Sequence, residues 1–205
     1  TGKKKIKEAL LNEDFDYLVD EGLSQVEAGA DLLDVNVGIP KIDEPVVMKK
    51  LIGQLQEYIN IPLQIDSSDA AAIENGARYY NGIPLINSVS GKENVMREIF
   101  PIVKKYGAVV IGLTLDEDGI PATAEKRVEI AKKIIKTAES YGIHKSKIII
   151  DTLVLTASAE QKLVKETLRA LGEVRKLGVK TALGVSNVSY GLPERPLLNR
   201  TFLTM

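Results

Sequence analysis

The stretch KTALGVSNVSYG, residues 180–191, reads as an apolar strand, Thr181 to Val185, that stops abruptly in small and amide side chains, Ser186, Asn187 and Ser189, with Gly191 beyond. An apolar strand with a polar tip presents one fixed group to a ligand. The same arrangement recurs upstream. LLDVNVG sets Asp34 and Asn36 at a strand's end, PLQIDSS sets Asp66 there, PLINSVS sets Asn87 there, and KIIIDT sets Asp151 there. If these strands run parallel, their tips share one rim and face one cavity.

The segments between the tips carry helical spacing. From Ile6 to Ala30 the apolar positions Leu10, Leu11, Phe15, Leu18, Val19, Leu23 and Val26 predict two helices broken at Asn12 to Asp14. Thr1 to Lys5 reads as a loop before them. Further helices are expected over 44–58, 69–79, 93–106, 123–141 and 159–177, alternating with strands over 32–37, 61–65, 83–86, 108–115 and 147–150. The order is that of an α/β parallel sheet with right-handed crossovers, a TIM-type (β/α) barrel. Only six strands are legible, against eight in a closed barrel, so the first and last strand units are expected to be absent. Residues 1–205 then form one incomplete barrel domain, a fragment of a longer gene product.

The bulk properties narrow the function. A hydrophobic content of 44% in 205 residues supports a single buried core. The 27 Lys and Arg against 28 Asp and Glu give a net charge of -1, which argues against nucleic acid or an anionic membrane surface as partner. The absence of cysteine removes disulfides, iron–sulfur ligation and thiolate catalysis, and a single histidine weakens any triad or zinc site. No bilayer-spanning run or signal pattern is legible, so a soluble, cytoplasmic protein is expected. Asp34, Asp66 and Asp151 could offer oxygens to a metal, but no metal site is expected.

Carboxylates and amides at strand ends make a rim of acceptors and two-way hydrogen bonders, which suits a flat heterocycle with an amidine-like edge. Asp or Asn at a strand end is equally a turn former and a helix cap, as in Asp66-Ser67-Ser68 before the helix at Asp69. Five tips at equivalent places favour the functional reading, because capping alone does not call for a carboxylate or carboxamide each time.

At these residues the chain resembles the pterin-binding methyltransferases, the family of methyltetrahydrofolate:corrinoid/iron–sulfur protein methyltransferase and of the folate domain of cobalamin-dependent methionine synthase. The matching pieces are LLDVNVG, QIDSS, LINSVS, YGAVVIGLTLDEDGIP, IIIDTLVL, GVSNVS and RPLLNRTFL. The resemblance implies transfer of the methyl group of 5-methyltetrahydrofolate to cob(I)alamin on a corrinoid protein or cobalamin-binding domain. It implies that Asp66, Asn87 and Asp151 bind the pterin and that Asn187 acts beside the methyl-bearing nitrogen, with Asp151 or water supplying a proton there. Asn36 and Asp34 fall on the family's first strand tip. Tyr190 stands where some members carry glutamine. Standalone members are homodimers, so a dimer is an expectation of the resemblance alone. Two alternatives stand beside this one: a dihydropteroate synthase-like pterin enzyme, whose Ser-Arg-Lys is here replaced by Ser186-Asn187-Val188, and a non-catalytic folate-binding module.

Overall fold

The computed structural model describes residues 3–205, and Thr1 and Gly2 of the expected opening loop lie outside them. Lys4 and Lys5 of that loop are already helical. The elements run α1 (Lys4–Leu11), α2 (Phe15–Glu27), β1 (Leu33–Asn36), α3 (Glu44–Tyr58), β2 (Leu63–Asp66), α4 (Ala70–Tyr79), β3 (Leu85–Ser90), α5 (Glu93–Tyr106), β4 (Val109–Leu113), α6 (Ala124–Ser140), β5 (Ile148–Asp151), α7 (Gln161–Arg175), β6 (Lys180–Ala182) and α8 (Arg195–Thr204). The strands follow the chain across the sheet, β1-β2-β3-β4-β5-β6, as the α/β alternation predicts. The chain divides into two compact units, one of the residues up to Ser88 with Pro101–Val110, the other of Val89–Phe100 with Ile111–Met205.

In the first unit, helix starts are written in carboxylates. Asp43 accepts from the Val46 N–H ahead of α3, and Asp69 accepts from the Ala71 N–H at 2.8 Å ahead of α4. Apolar residues at helical spacing on α3, Val47, Met48, Leu51, Ile52 and Leu55, are buried with Leu63 and Ile65 of β2. Burying one such side chain contributes roughly 2 kcal/mol. The fit is close at Gly76 on α4, where an added Cβ would stand 2.9 Å from the Ile65 side chain. The parallel pairs β1–β2 and β2–β3 place Asn36 opposite Asp66 and Asp66 opposite Asn87.

In the second unit, Ile130, Ala131, Ile134 and Ala138 of α6, Ile148 and Ile150 of β5 and Ala170 and Val174 of α7 are buried. Strand β5 pairs in parallel with β6, Asp151 opposite Ala182. Two expectations shift. β3 continues past Ile86 to Ser90, and β6 stops at Ala182, after which Val185–Ser189 forms a 3-10 turn. Gly184 carries the chain out of the extended course, and the Asn187 N–H then bonds back to the Gly184 carbonyl at 3.1 Å. The apolar segment 197–205 lies largely within helix α8, whose Phe202 is buried with Val154 and Val188.

Candidate functional site

The first unit assembles its polar tips through strand register. In a strand, alternate residues share a face, so Asp34 and Asn36 project together, as do Gln64 and Asp66. The in-register neighbours bond directly: Asn36 Nδ2 donates to Asp66 Oδ2 at 2.9 Å, and Gln64 Nε2 donates to Asp34 Oδ1. Asn36 Oδ1 in turn accepts from the Gly38 N–H at 3.0 Å, which orients its carboxamide. Asn87 stands opposite Asp66, and its carbonyl accepts from the Ser67 N–H at 2.9 Å.

Capping of α4 does not fall to Asp66. Asp69 carries it, while the Ser67 hydroxyl accepts from the Asp69 N–H and donates to Glu44 Oε1. The Asp66 carboxylate is thus held by a neighbouring strand tip rather than by its own turn. Asp34 reaches solvent, yet loss of hydration and then the facing Asp66 push its carboxyl up to about 6, against the pull of the Gln64 amide.

The second unit holds Asp151 and Asn187. Asp151 ends β5. Its carbonyl accepts from the N–H and hydroxyl of Thr114, and its Oδ1 accepts from the Leu153 N–H at 2.7 Å. Here the turn-forming role of a strand-end aspartate is realised. Burial raises the Asp151 carboxyl above the ordinary range, opposed by the Leu153 N–H and the charge of Arg127.

Asn187 lies exposed on the 3-10 turn rather than on a strand tip, which corrects the reading of 181–185 as one strand. Side chains hold that turn. Ser189, fully buried, donates to Asn199 Oδ1 at 2.7 Å, and Arg195 donates to Ser189 Oγ and to the Ser186 carbonyl, each at 3.1 Å. The loop after β5 joins the same block. The Ala157 N–H meets the Val188 carbonyl at 3.0 Å, and Val154, Val188 and Phe202 share a buried cluster. Tyr190 is 69% exposed, and its carbonyl accepts from the Thr156 hydroxyl at 2.8 Å.

Sequence reasoning missed Arg127, Ser189, Arg195 and Asn199 as supports. For Arg127 the signal is present: it interrupts the buried stripe Ala124, Arg127, Ile130, Ala131, Ile134 and Ala138, and an arginine on such a face needs a polar partner inside. The other three act across a turn whose course the sequence does not spell out. Among the described residues no helix is long and apolar enough to cross a membrane. Nor do three or more acidic or histidine side chains among them form a group that could hold a metal ion.

A sequence model of the family described as pterin binding enzyme matches residues 1–204. A methylcorrinoid:tetrahydrofolate methyltransferase from Eubacterium limosum is 30% identical over 98% of this chain and 75% of its own length. A methionine synthase from Mycobacterium tuberculosis is 35% identical over 98% of this chain, which spans only 18% of that enzyme. Among solved structures, a dihydropteroate synthase from Xanthomonas albilineans in complex with 7,8-dihydropteroate superposes with a TM-score of 0.69 at 18% identity, covering 93% of this chain and 74% of that one. That likeness is one of fold, an α/β chain of the TIM-barrel type.

Proposed function

Because the chain belongs to the pterin-binding methyltransferase family, we propose that it moves the methyl group of 5-methyltetrahydrofolate to cob(I)alamin carried by a corrinoid protein or domain. The observation that carries this reading is the in-register set Asn36, Asp66 and Asn87, with Asn36 bonded to Asp66 at 2.9 Å. A pterin offers an amidine-like edge of parallel N–H donors beside a carbonyl. A carboxylate flanked by carboxamides matches it, because the carboxylate accepts from two N–H groups while an amide can both donate and accept. In the second unit Asp151 is likewise a carboxylate able to accept from N–H donors, and it is already turned by the Leu153 N–H.

The chemistry asks for one more thing. The methyl group leaves a tertiary amine nitrogen, which keeps the electron pair of the broken bond, and an amine is a poor leaving group unless it takes a proton. The cobalt(I) of the corrinoid substrate supplies the electron pair of the new bond to carbon. Asn187 cannot deliver a proton at neutral pH. Its carboxamide oxygen orients and stabilises the N–H of the protonated nitrogen, and Asp151 or water provides the proton. The raised proton affinity of Asp151 suits that task.

The dihydropteroate synthase reading has less behind it, since that likeness is one of fold and Ser186-Asn187-Val188 offers no cation for a pyrophosphate leaving group. The test mixes the protein with methyltetrahydrofolate and cob(I)alamin and follows the loss of cob(I)alamin absorbance. Methylcobalamin should form, and Asn187→Ala should slow it about a hundredfold while the folate dissociation constant stays within about threefold. Folate binding without transfer would select the non-catalytic module. No folate binding would overturn the family's chemistry for this chain.

A further inference from the structure

Arg127, in the first turn of α6, is the bulkiest fully buried side chain among the described residues. Its Nε donates to the Pro121 carbonyl at 2.8 Å. Its Nη1 lies 2.8 Å from the Thr152 carbonyl, 3.0 Å from the Leu153 carbonyl and 2.7 Å from Thr167 Oγ1. Its Nη2 is buried with no partner, and among the described residues the guanidinium forms no ion pair. A buried cation with an unpaired N–H group is costly, and a helix and a loop can be packed together more cheaply by apolar side chains. The guanidinium is therefore expected to do something that apolar packing cannot.

Its acceptors point to what that is. Thr152 and Leu153 directly follow Asp151, and Leu153 has a φ of 61°, a left-handed conformation that a leucine adopts only when its surroundings impose it. In that conformation the Leu153 N–H, which shares a peptide plane with the Thr152 carbonyl, meets Asp151 Oδ1 at 2.7 Å. With the carbonyls of residues 152 and 153 both drawn to Arg127, the backbone cannot relax out of it. Thr167, fully buried on α7, braces the same point, its hydroxyl lying 3.1 Å from the Leu153 carbonyl. A lysine ammonium could not reach the Pro121, Thr152 and Leu153 carbonyls together, whereas a planar guanidinium can.

We propose that Arg127 is a positioning residue for folate recognition: by clamping the carbonyls of Thr152 and Leu153 it fixes the Leu153 N–H on Asp151 and so sets the direction in which that carboxylate meets the pterin. The proposal rests on the reading that Asp151 contacts the pterin. Arg127 itself touches backbone, not substrate.

The experiment titrates methyltetrahydrofolate into wild type, Arg127→Lys, Asp151→Asn and the double variant, with thermal unfolding of each alongside. Arg127→Lys should weaken binding about tenfold, the scale of one lost charge-assisted hydrogen bond. The double variant should bind no more weakly than Asp151→Asn alone, because Arg127 acts through that carboxylate. A residue that only stabilised the fold would leave the affinity of the folded fraction unchanged. Wild-type affinity in folded Arg127→Lys, or losses that multiply in the double variant, would overturn the proposal. An unchanged affinity in Asp151→Asn would instead overturn the assignment of Asp151, and the proposal with it. If Arg127→Lys does not fold, Thr167→Val, which removes one acceptor of the same guanidinium, takes its place. An effect of about threefold that vanishes in the Asp151→Asn background is then expected, and its absence would overturn the proposal.

Discussion

Two ways of holding a polar tip operate side by side in this chain. In the first unit Asn36, Asp66 and Asn87 stand opposite one another because their strands are paired in parallel, so the backbone ladder itself sets their spacing. In the second unit only Asp151 ends a strand, while Asn187 sits beyond the end of β6 on a turn held by Ser189, Arg195 and Asn199. Register gives rigid placement from local sequence, whereas a side-chain scaffold gives placement that depends on residues far along the chain. Rigid tips suit binding. An exposed tip on a turn suits a group that must follow a bond as it breaks.

Each half of this contrast can be broken separately, and the largest effect is expected at the register-held tip. Asp66→Asn keeps the shape and an acceptor for Asn36 but removes the charge. Folate affinity measured by calorimetry should fall about a hundredfold. A loss confined to the transfer rate would show that the ladder does not bind the pterin.

A smaller and opposite signature is expected at Gly184. An added Cβ there would stand 2.9 Å from Asn187 Nδ2, so in Gly184→Ala the carboxamide must swing aside. The backbone conformation, φ -75° and ψ 70°, accepts alanine, and the displaced atom is the free end of a side chain, so stability should hardly change. Single-turnover transfer should slow about tenfold with folate affinity kept within about twofold. Equal loss of both would place Asn187 among the binding residues and erase the contrast.

The smallest effect concerns pH. Asp34 titrates at about 6 in the folded chain, above the roughly 3.9 of an unfolded aspartate. The folded state therefore holds its proton more tightly, and this residue's contribution to stability falls as pH rises from about 4 to about 6. The gap between the urea midpoints of Asp34→Asn and wild type should open in the variant's favour over that window and stay constant above about pH 7. A gap that does not move with pH would show that Asp34 titrates normally.

Much of this was legible in the sequence, for a physical reason. Strands β1, β2 and β5 carry buried apolar residues up to a polar end, and the helices between them carry 3.6-residue stripes, so alternation and tip positions follow from pattern alone. The reading failed where local preference and pairing diverge. Asn87 looks like a strand's end, yet β3 runs on to Ser90. Val185 looks like strand, yet the turn after Gly184 curls it into a 3-10 helix. The stripe on α6 marks Arg127 as buried but not what it holds, because its acceptors include the Pro121, Thr152 and Leu153 carbonyls, which no side-chain pattern records.

The bare α-carbon at Gly184 also bears on how such a chain could change trade over generations. If Asn187 acts as proposed, one methyl group there sets the pace of the reaction apart from the grip on folate, because it turns the carboxamide aside and leaves the strand tips untouched. A descendant with alanine at that site would keep its fold and its guest and consume that guest about ten times more slowly, so the length of time folate stays held could be tuned by one codon.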